Sequence, residues 1–303
     1  MKKDIKQLAI IGPTASGKSD LAIKIAQKID AYILSIDSLS VYKEIDIVSA
    51  KPSKEELSLV PHFGINVLYP DENFSVELFI DLYKTVLKKC KEDEKNLLIV
   101  GGTSFYLKSL LQGLSSLPKT NEIILKRVAT KLNNLTDSYE ELLNVDPTYM
   151  QNIDKNDAYR IEKALIIYEA SAQTPTEWFK NNPPEPIIKE LSIFNIEVDR
   201  AVLRQRIEKR TDKMLSLGLI DEVAYLESKY SRLPNAMGAI GVVEVLEYFD
   251  LKVSQKDMLQ NISTHTAQLA KRQATFNRTQ FKNISSAPLQ ELEKIILASV
   301  ESK

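Results

Sequence analysis

Short apolar runs alternate with amphipathic stretches along the first third of the chain. Residues 8–11, 31–36 and 96–100 are continuously hydrophobic over the length expected of strands buried in a parallel sheet. Between the first two runs, Leu21, Ala22, Ile25 and Ile29 recur at helical spacing, and a similar stretch covers residues 76–91. This alternation predicts an α/β fold in which helices flank a parallel sheet.

The pattern changes after residue 118. Residues 120–180 contain no run typical of a strand, and residues 121–132 and 157–170 have the spacing of amphipathic helices. A proline-rich stretch at 183–186 has the composition of a stiff connector, and residues 191–198 again have the pattern of a strand. We therefore predict an all-helical insertion domain at 118–186 within a core formed by residues 1–117 and 187–303.

The turn after the first apolar run carries a phosphate-binding motif. It consists of Gly12, Pro13, Thr14, Ala15, Ser16, Gly17, Lys18 and Ser19, which match G-x-x-x-x-G-K-[ST] between a strand and a helix. Glycines allow backbone N–H groups to converge on phosphate oxygens, and the helix N-terminus adds partial positive charge. Lys18 supplies a cation and Ser19 a hydroxyl suited to Mg²⁺. The motif predicts a P-loop NTPase-like core that binds a diphosphate or polyphosphate.

Asp37 follows the second apolar run, and its position links it to the P-loop. The carboxyl ends of parallel strands meet at one edge of a sheet, so we expect Asp37 to point toward the bound phosphates. The strand at 96–100 ends in Gly101, Gly102 and Thr103 instead of the acid that holds Mg²⁺ in P-loop hydrolases. This combination favours a transferase with Asp37 as base or metal ligand, although a turn-capping role for Asp37 is equally compatible with the local sequence.

Composition and charge exclude several classes of protein and leave a nucleic-acid partner possible. The net charge is −1, yet residues 200–282 hold 14 Lys or Arg against 9 Asp or Glu, an excess that can attract phosphate backbones. One cysteine and two histidines exclude an intramolecular disulfide, a zinc finger and a histidine-rich metal site. Because no apolar run approaches ~20 residues and residues 1–6 lack a secretory pattern, we expect a cytoplasmic protein without a membrane partner.

Further motifs occur in a fixed order along the chain. The P-loop is followed by Ser35-Ile36-Asp37-Ser38, Ala50-Lys51-Pro52, Val100-Gly101-Gly102-Thr103, Asp157 with Arg160, Arg206 with Arg210, Ala239-Ile240-Gly241 with Glu244, and Ala270-Lys271-Arg272-Gln273. In this order the chain resembles the tRNA dimethylallyltransferase (tRNA isopentenyltransferase) family along nearly its whole length. The resemblance implies transfer of a dimethylallyl group from dimethylallyl diphosphate to N6 of the adenosine beside the anticodon, with release of pyrophosphate.

The resemblance also implies roles for individual residues. The P-loop would hold the diphosphate with Mg²⁺ at Ser19, Thr103 and Arg210 would stabilise the departing pyrophosphate, and Asp37 would accept the N6 proton. The residues implied in binding the tRNA anticodon stem-loop are Asp37, Ser38, Leu39, Ser40, Tyr159, Arg160, Ile161, Glu162, Lys163, Lys271 and Arg272. The partners expected are therefore tRNA and dimethylallyl diphosphate, with the chain acting as a monomer.

The chain departs from the family pattern at several positions outside these catalytic residues. Glu44 and Val48 stand where the family usually has glycine, Ser40 where it has glutamine, and Lys163 where it has arginine. Val242 and Val243 replace a tyrosine and a basic residue, so no RNA contact is predicted there.

Three alternatives remain open from the residues alone. A small-molecule kinase could use the same P-loop with Asp37, but it predicts ATP turnover and an arginine-rich lid, and residues 120–180 hold only Arg127 and Arg160. A non-catalytic RNA-binding module would tolerate Asp37→Ala. A prenyltransferase acting on free adenine nucleotides would be indifferent to the RNA around the acceptor, which the helical insertion and basic segment argue against.

Overall fold

The structure is a computed structural model that describes residues 5–301, so residues 1–4 and 302–303 of the predicted core lie outside the described residues. Its sheet comprises β1 (Gln7–Ile11), β2 (Ala31–Ser35), β3 (His62–Phe63), β4 (Asn96–Gly101), β5 (Ser192–Glu197) and β6 (Ile284–Pro288). The strand order is β3-β2-β4-β1-β5-β6, and every neighbouring pair is parallel. The predicted parallel sheet flanked by helices is thereby confirmed, and β3 and β6 are additions to it.

The chain divides into two compact units, here called the sheet unit and the helical unit; the helical unit is residues 109–189 and the sheet unit is the remainder. The sheet unit contains α1 (Lys18–Ile29), α2 (Lys54–Leu59), α3 (Val76–Glu92), most of α4 (Ser104–Gln112), α10 (Arg200–Ser216), α11 (Leu219–Tyr230), α12 (Val242–Phe249), α13 (Gln255–Gln280) and α14 (Leu289–Glu301). The helical unit contains α5 (Glu122–Leu132), α6 (Leu135–Val145), α7 (Pro147–Met150), α8 (Ala158–Ser171) and α9 (Pro175–Asn181).

Helices α1 and α14 cover one face of the sheet. Ile10, Leu98 and Phe194 on this face join Ile25 and Leu292 from the helices in one buried cluster. Leu97 and Ile99, which alternate with Leu98 along β4, are equally buried on the opposite face, where α3 packs against β2 and β4. Burial on both faces explains why β4 is apolar at nearly every position.

A second core of the sheet unit lies outside the sheet. Val41, Ile45 and Val48, from the segment that follows β2, pack against α10, α11, α12 and α13 through residues such as Leu219 and Val245. This packing covers the carboxyl edge of the sheet with the C-terminal helices, and it brings segments that are some 200 residues apart in sequence around the P-loop.

The helical unit has its own small core. Val128, Leu142, Met150, Ile161 and Leu165 form a buried cluster between its helices. All of residues 109–189 are described, and none of them lies in a strand. The unit extends beyond the insertion predicted at 118–186 on both sides. It begins within α4, whose helical periodicity runs without a break across the boundary.

Candidate active site

The P-loop connects β1 to α1 in a conformation suited to an anion. Gly17 caps α1 with φ +91°, a left-handed conformation that glycine adopts without strain, and no side chain caps the helix. A Cβ on Gly17 would lie 3.2 Å from Leu289, so the position is sterically restricted as well. The first N–H groups of α1 are therefore available to phosphate oxygens, and Ser19 is exposed in its first turn.

Asp37 lies just beyond the end of β2 and caps the following turn. Its Oδ1 accepts hydrogen bonds from the N–H groups of Leu39 (2.9 Å) and Ser40 (3.1 Å). Among the described residues, Oδ2 of Asp37 accepts no hydrogen bond. Asp37 thus combines the turn cap that the local sequence allows with a second carboxylate oxygen that is free to interact with a ligand.

The end of β4 approaches Asp37 closely because it carries glycines. A Cβ on Gly101 would lie 2.9 Å from the backbone carbon of Ile36, a separation that only glycine permits. Ser38 donates its N–H to Oγ1 of Thr103 at 3.2 Å, and Thr103 donates to Oγ of Ser38 at 3.3 Å. The turns after β2 and β4 are therefore joined through Thr103.

Two arginines of α10 reach the P-loop. Arg206 donates to the carbonyl oxygen of Ser16 at 3.2 Å. Arg210 donates to Oγ1 of Thr14 at 3.3 Å and to the carbonyl oxygen of Ser49 at 3.4 Å. Burial lowers the pKa of Arg210 from its ordinary value, and the negative charge of Asp37 opposes this effect. No role was predicted for Arg206 from the sequence, and the structure shows that Arg206 contacts the P-loop.

Lys18 lies at the centre of the site. Its ammonium donates to the carbonyl oxygen of Pro13 at 2.6 Å. Burial lowers the pKa of Lys18 to about 8, with a smaller lowering by Arg210, while Asp37 acts in the opposite direction. Lys18 and Arg210 are half-buried, so the site holds partly desolvated positive charge that a diphosphate would compensate.

Two adjoining cavities meet at these residues. The larger, of about 470 Å³, is lined by polar and apolar side chains in similar measure, and its apolar side chains include Tyr42, Val48, Phe74, Tyr106, Met214 and Leu269. The smaller, of about 350 Å³, is lined by P-loop residues 14–19 and by Arg206. Thr14, Lys18, Asp37, Ser49 and Arg210 line both cavities. The P-loop cavity thus adjoins a chamber with an aromatic and aliphatic wall, and a carboxylate lies at the junction.

Aromatic rings form one wall of the larger cavity. The ring of Tyr106 stacks on Phe79 with centroids 4.8 Å apart and meets Phe74 edge-on at 5.6 Å. Burial raises the pKa of Tyr106 to about 12, so its phenol stays neutral at physiological pH. This wall can accept a small hydrocarbon group or a planar base.

Gln273 of α13 extends between the P-loop and β4. Its Oε1 accepts the N–H of Thr14 at 2.8 Å, and its Nε2 lies only 2.4 Å from where a Cβ on Gly102 would be. Gln273 was not among the site residues predicted from the sequence. The available signal was a polar side chain on an otherwise largely apolar stripe that includes Ile262 and Leu269, a stripe that faces the larger cavity.

The segment after Asp37 is held from outside by α11. Glu222 accepts the N–H groups of Asp46, Ile47 and Val48 at 2.8–3.0 Å. Glu44, one of the positions where the family usually has glycine, adopts φ +64°. Its carboxylate bonds to Lys229 at 2.8 Å, and this contact with α11 accompanies its left-handed conformation.

The residues predicted to bind tRNA fall into separate groups. Lys271 and Arg272 are exposed on α13, and Ser38 is exposed beside Thr103, whereas Ser40 is buried. In the helical unit, Tyr159 is exposed and stacks under the ammonium of Lys163, and Arg160 pairs with Asp157 at 2.9 Å. Glu162 is half-buried beside them. Ile161 is fully buried in that unit's core, so its side chain packs internally and is not available to RNA.

The predicted Mg²⁺ position is chemically reasonable. Ser19 and Asp37 both line the smaller cavity, and each offers oxygen to a hard cation. The described residues contain no cluster of three or more His, Cys, Asp or Glu side chains that could hold a metal by themselves. A Mg²⁺ ion here would therefore need diphosphate oxygens and water among its ligands, which is its usual mode with phosphate substrates.

Comparison with known sequences identifies relatives along almost the whole chain. The family model for IPP transferase matches residues 40–280. A tRNA dimethylallyltransferase of Sulfurimonas denitrificans is 64% identical over 294 residues, which cover 97% of this chain and 99% of that protein. One of Nautilia profundicola with the same name is 56% identical over 97% of this chain and 99% of its own length.

Solved structures show the same fold. A tRNA isopentenylpyrophosphate transferase of Bacillus halodurans aligns with a TM-score of 0.72 at 27% identity, covering 99% of this chain and 98% of that one. A eukaryotic dimethylallyltransferase acting on tRNA aligns with a TM-score of 0.81 at 25% identity, covering 93% of this chain and 74% of that one.

Proposed function

The chain belongs to the IPP transferase family, and on that premise we propose that it is a tRNA dimethylallyltransferase that modifies N6 of the adenosine beside the anticodon. The donor is dimethylallyl diphosphate. The observation that carries this proposal is the junction of the two cavities, where a P-loop with the half-buried cations Lys18 and Arg210 meets a chamber with an aromatic wall beside Asp37.

The reaction exchanges one bond to the allylic carbon for another. The bond between C1 of the dimethylallyl group and the diphosphate oxygen breaks, and its electron pair leaves with pyrophosphate. The N6 lone pair forms the new N–C bond, and one N6 proton passes to the Oδ2 carboxylate oxygen of Asp37. No phosphoryl group moves, which agrees with the lack of a hydrolase-type acid at the end of β4.

The protein stabilises the leaving group electrostatically. Lys18, Arg210 and the free N–H groups of α1 border the smaller cavity, where the diphosphate would bind, and Thr103 would approach it from the larger cavity. Donors withdrawn from water act most strongly where charge develops. Mg²⁺ held at Ser19 would neutralise further charge on the diphosphate. Arg206 supports the same loop through the carbonyl of Ser16.

The larger cavity would orient the acceptor. Its aromatic wall suits both the hydrocarbon group and a planar base, and an exocyclic amine is a weak nucleophile that depends on positioning. The base must leave its stack to enter such a chamber, which favours a nucleotide in a loop over one in a duplex.

The cellular location and oligomeric state of the enzyme are also part of the proposal. No helix among the described residues is long and apolar enough to cross a membrane. We propose that the chain acts on tRNA in the cytoplasm as a monomer. Sedimentation of the enzyme with and without a stem-loop measures the mass of the sedimenting species, and we expect the mass of one chain without the stem-loop and of one chain plus one stem-loop with it.

The experiment measures transfer of labelled dimethylallyl groups to an anticodon stem-loop, to free AMP and to no acceptor, with ATP turnover followed in parallel. The variant is Asp37→Asn, because the amide oxygen keeps the cap on Leu39 and Ser40 but cannot take up a proton. We expect labelling of the stem-loop by the wild type and a rate lowered by about 10²–10⁴ in the variant.

Each other outcome identifies a competing function. Labelling that survives in Asp37→Asn leaves Asp37 as a cap only. ATP consumption without any labelling favours the kinase, and stem-loop binding without turnover favours the non-catalytic module. Equal labelling of AMP and the stem-loop removes the requirement for RNA.

A further inference from the structure

The orientation of the Gln273 amide is fixed by its partner. A backbone N–H can only donate, so the atom of Gln273 that contacts the N–H of Thr14 at 2.8 Å is the carbonyl oxygen Oε1. Nε2 is therefore directed away from the P-loop backbone and against Gly102, where an added Cβ would lie 2.4 Å from it. The absence of a side chain at Gly102 is what makes room for this NH₂ group.

This NH₂ group can still donate hydrogen bonds to a ligand. Among the described residues none accepts a hydrogen bond from Nε2 of Gln273, although Gln273 is half-buried. Gln273 lines the larger cavity together with Asp37 and Thr103, and it does not line the smaller cavity that contains most of the P-loop. Gln273 therefore brings an NH₂ group without an acceptor among the described residues to the cavity that also contains Asp37 and Thr103.

We propose that Nε2 of Gln273 donates a hydrogen bond to a ring nitrogen of the acceptor adenine, N1 or N7, the two ring acceptors that flank N6. This makes Gln273 a specificity-determining residue, and it rests on the function proposed above. Asp37 and Gln273 then recognise adenine together: the carboxylate accepts from N6 while the amide donates to the ring.

Isosteric substitution separates this role from support of the P-loop. Gln273→Glu keeps the size of the side chain and an oxygen for the N–H of Thr14, but it replaces the NH₂ donor with an acceptor. The experiment compares kcat/KM on anticodon stem-loops whose acceptor is adenosine, 1-deazaadenosine or 7-deazaadenosine, in which one ring nitrogen is replaced by C–H.

For the wild type we expect one deaza substrate to be about 10- to 100-fold poorer than adenosine, the loss typical of a missing polar contact to a base. In Gln273→Glu this loss should disappear or invert, because the variant has no donor to lose and its carboxylate repels a ring nitrogen but not the C–H that replaces it. Effects of the new charge on the diphosphate are common to all three substrates and cancel in this ratio.

The control is Gln268→Glu, an exposed position on the same helix, which should keep the wild-type ratio. A ratio in Gln273→Glu equal to that of the wild type for both analogues overturns the proposal and leaves Gln273 as a support for Thr14. Absence of labelling of the adenosine stem-loop by the wild type would instead contradict the proposed function itself.

Discussion

Lys18 shows at the residue scale how the site is prepared for an anion. Burial lowers its pKa to about 8, so the free enzyme carries the ammonium below that pH and the neutral amine above it. A diphosphate binds the ammonium form. Affinity should therefore be constant well below pH 8 and should fall by about tenfold per pH unit above it.

The measurement is the dissociation constant of pyrophosphate between pH 7 and pH 9. Lys18→Arg is the control, because a guanidinium does not titrate in this range. The ratio of the variant's and the wild type's constants removes the titration of pyrophosphate itself. A ratio that does not change across this interval would show that Lys18 stays protonated in the free enzyme.

Residue identity alone predicted part of this site. The P-loop is recognisable from a motif at fixed spacing, and Asp37 is recognisable as an acid that follows a strand. Arg206 has no such local signal and Gln273 only a weak one, its polarity on a largely apolar stripe, because their contacts with Ser16 and Thr14 join positions about 190–260 residues apart in sequence. Only the packing of α10 and α13 over the sheet edge brings them to the P-loop.

At the scale of elements, the segment at 45–51 links the outer helix α11 to both cavities. The carboxylate of Glu222 accepts three consecutive backbone N–H groups, while Val48 and Ser49 of the same segment line the site. The side chain of Lys51 is almost fully buried, and its ammonium donates to Asp46 and Asn66 at 2.7 Å. By fixing residues 46–48, Glu222 positions the next residue, Ser49, whose carbonyl oxygen accepts a hydrogen bond from Arg210.

Glu222→Gln tests this support. The amide has one acceptor oxygen where the carboxylate has two, so at least one N–H of residues 46–48 loses its partner. We expect the free energy of unfolding to fall by about 1–3 kcal/mol and KM for the diphosphate donor to rise, with a smaller change in kcat. Urea denaturation and steady-state kinetics measure these quantities.

The matched control is Asp221→Asn, which removes the neighbouring exposed carboxylate from the first turn of α11 without touching the segment. Both variants lose one charge near the same helix end. Equal effects of the two substitutions would mean that the change comes from the interaction of the lost charge with the helix dipole, and not from the hydrogen bonds between Glu222 and residues 46–48.

Elements with strong local periodicity were predicted, and those defined by pairing were not. β6 has two exposed serines in five residues, so its sequence resembles a loop, and its strand conformation follows from pairing with β5. β3 is only two residues long. α2 did carry a local signal, the Ser53 and Glu56 capping box, that the apolar pattern does not reveal.

For the whole molecule, charge is distributed so that a near-neutral chain can still attract RNA. The net charge of −1 hides the basic excess of residues 200–282, which form the helices over the site. Lys271 and Arg272 are exposed on α13, one turn or less from Gln273. Contacts from these two residues to phosphates would orient the stem-loop toward the larger cavity.

Salt dependence separates such contacts from general attraction. Removing one side chain that pairs with a phosphate should lower the slope of log affinity against log salt by about 0.7–0.9, so Lys271→Ala and Arg272→Ala should each reduce the slope for the stem-loop by about that amount. Lys256→Ala removes the same charge from an exposed position at the start of α13 and should leave the slope near that of the wild type. Fluorescence titrations of a labelled stem-loop at several salt concentrations provide the slopes. Equal slopes for all three variants would mean that α13 acts through its overall charge, and that orientation of the stem-loop depends on other residues.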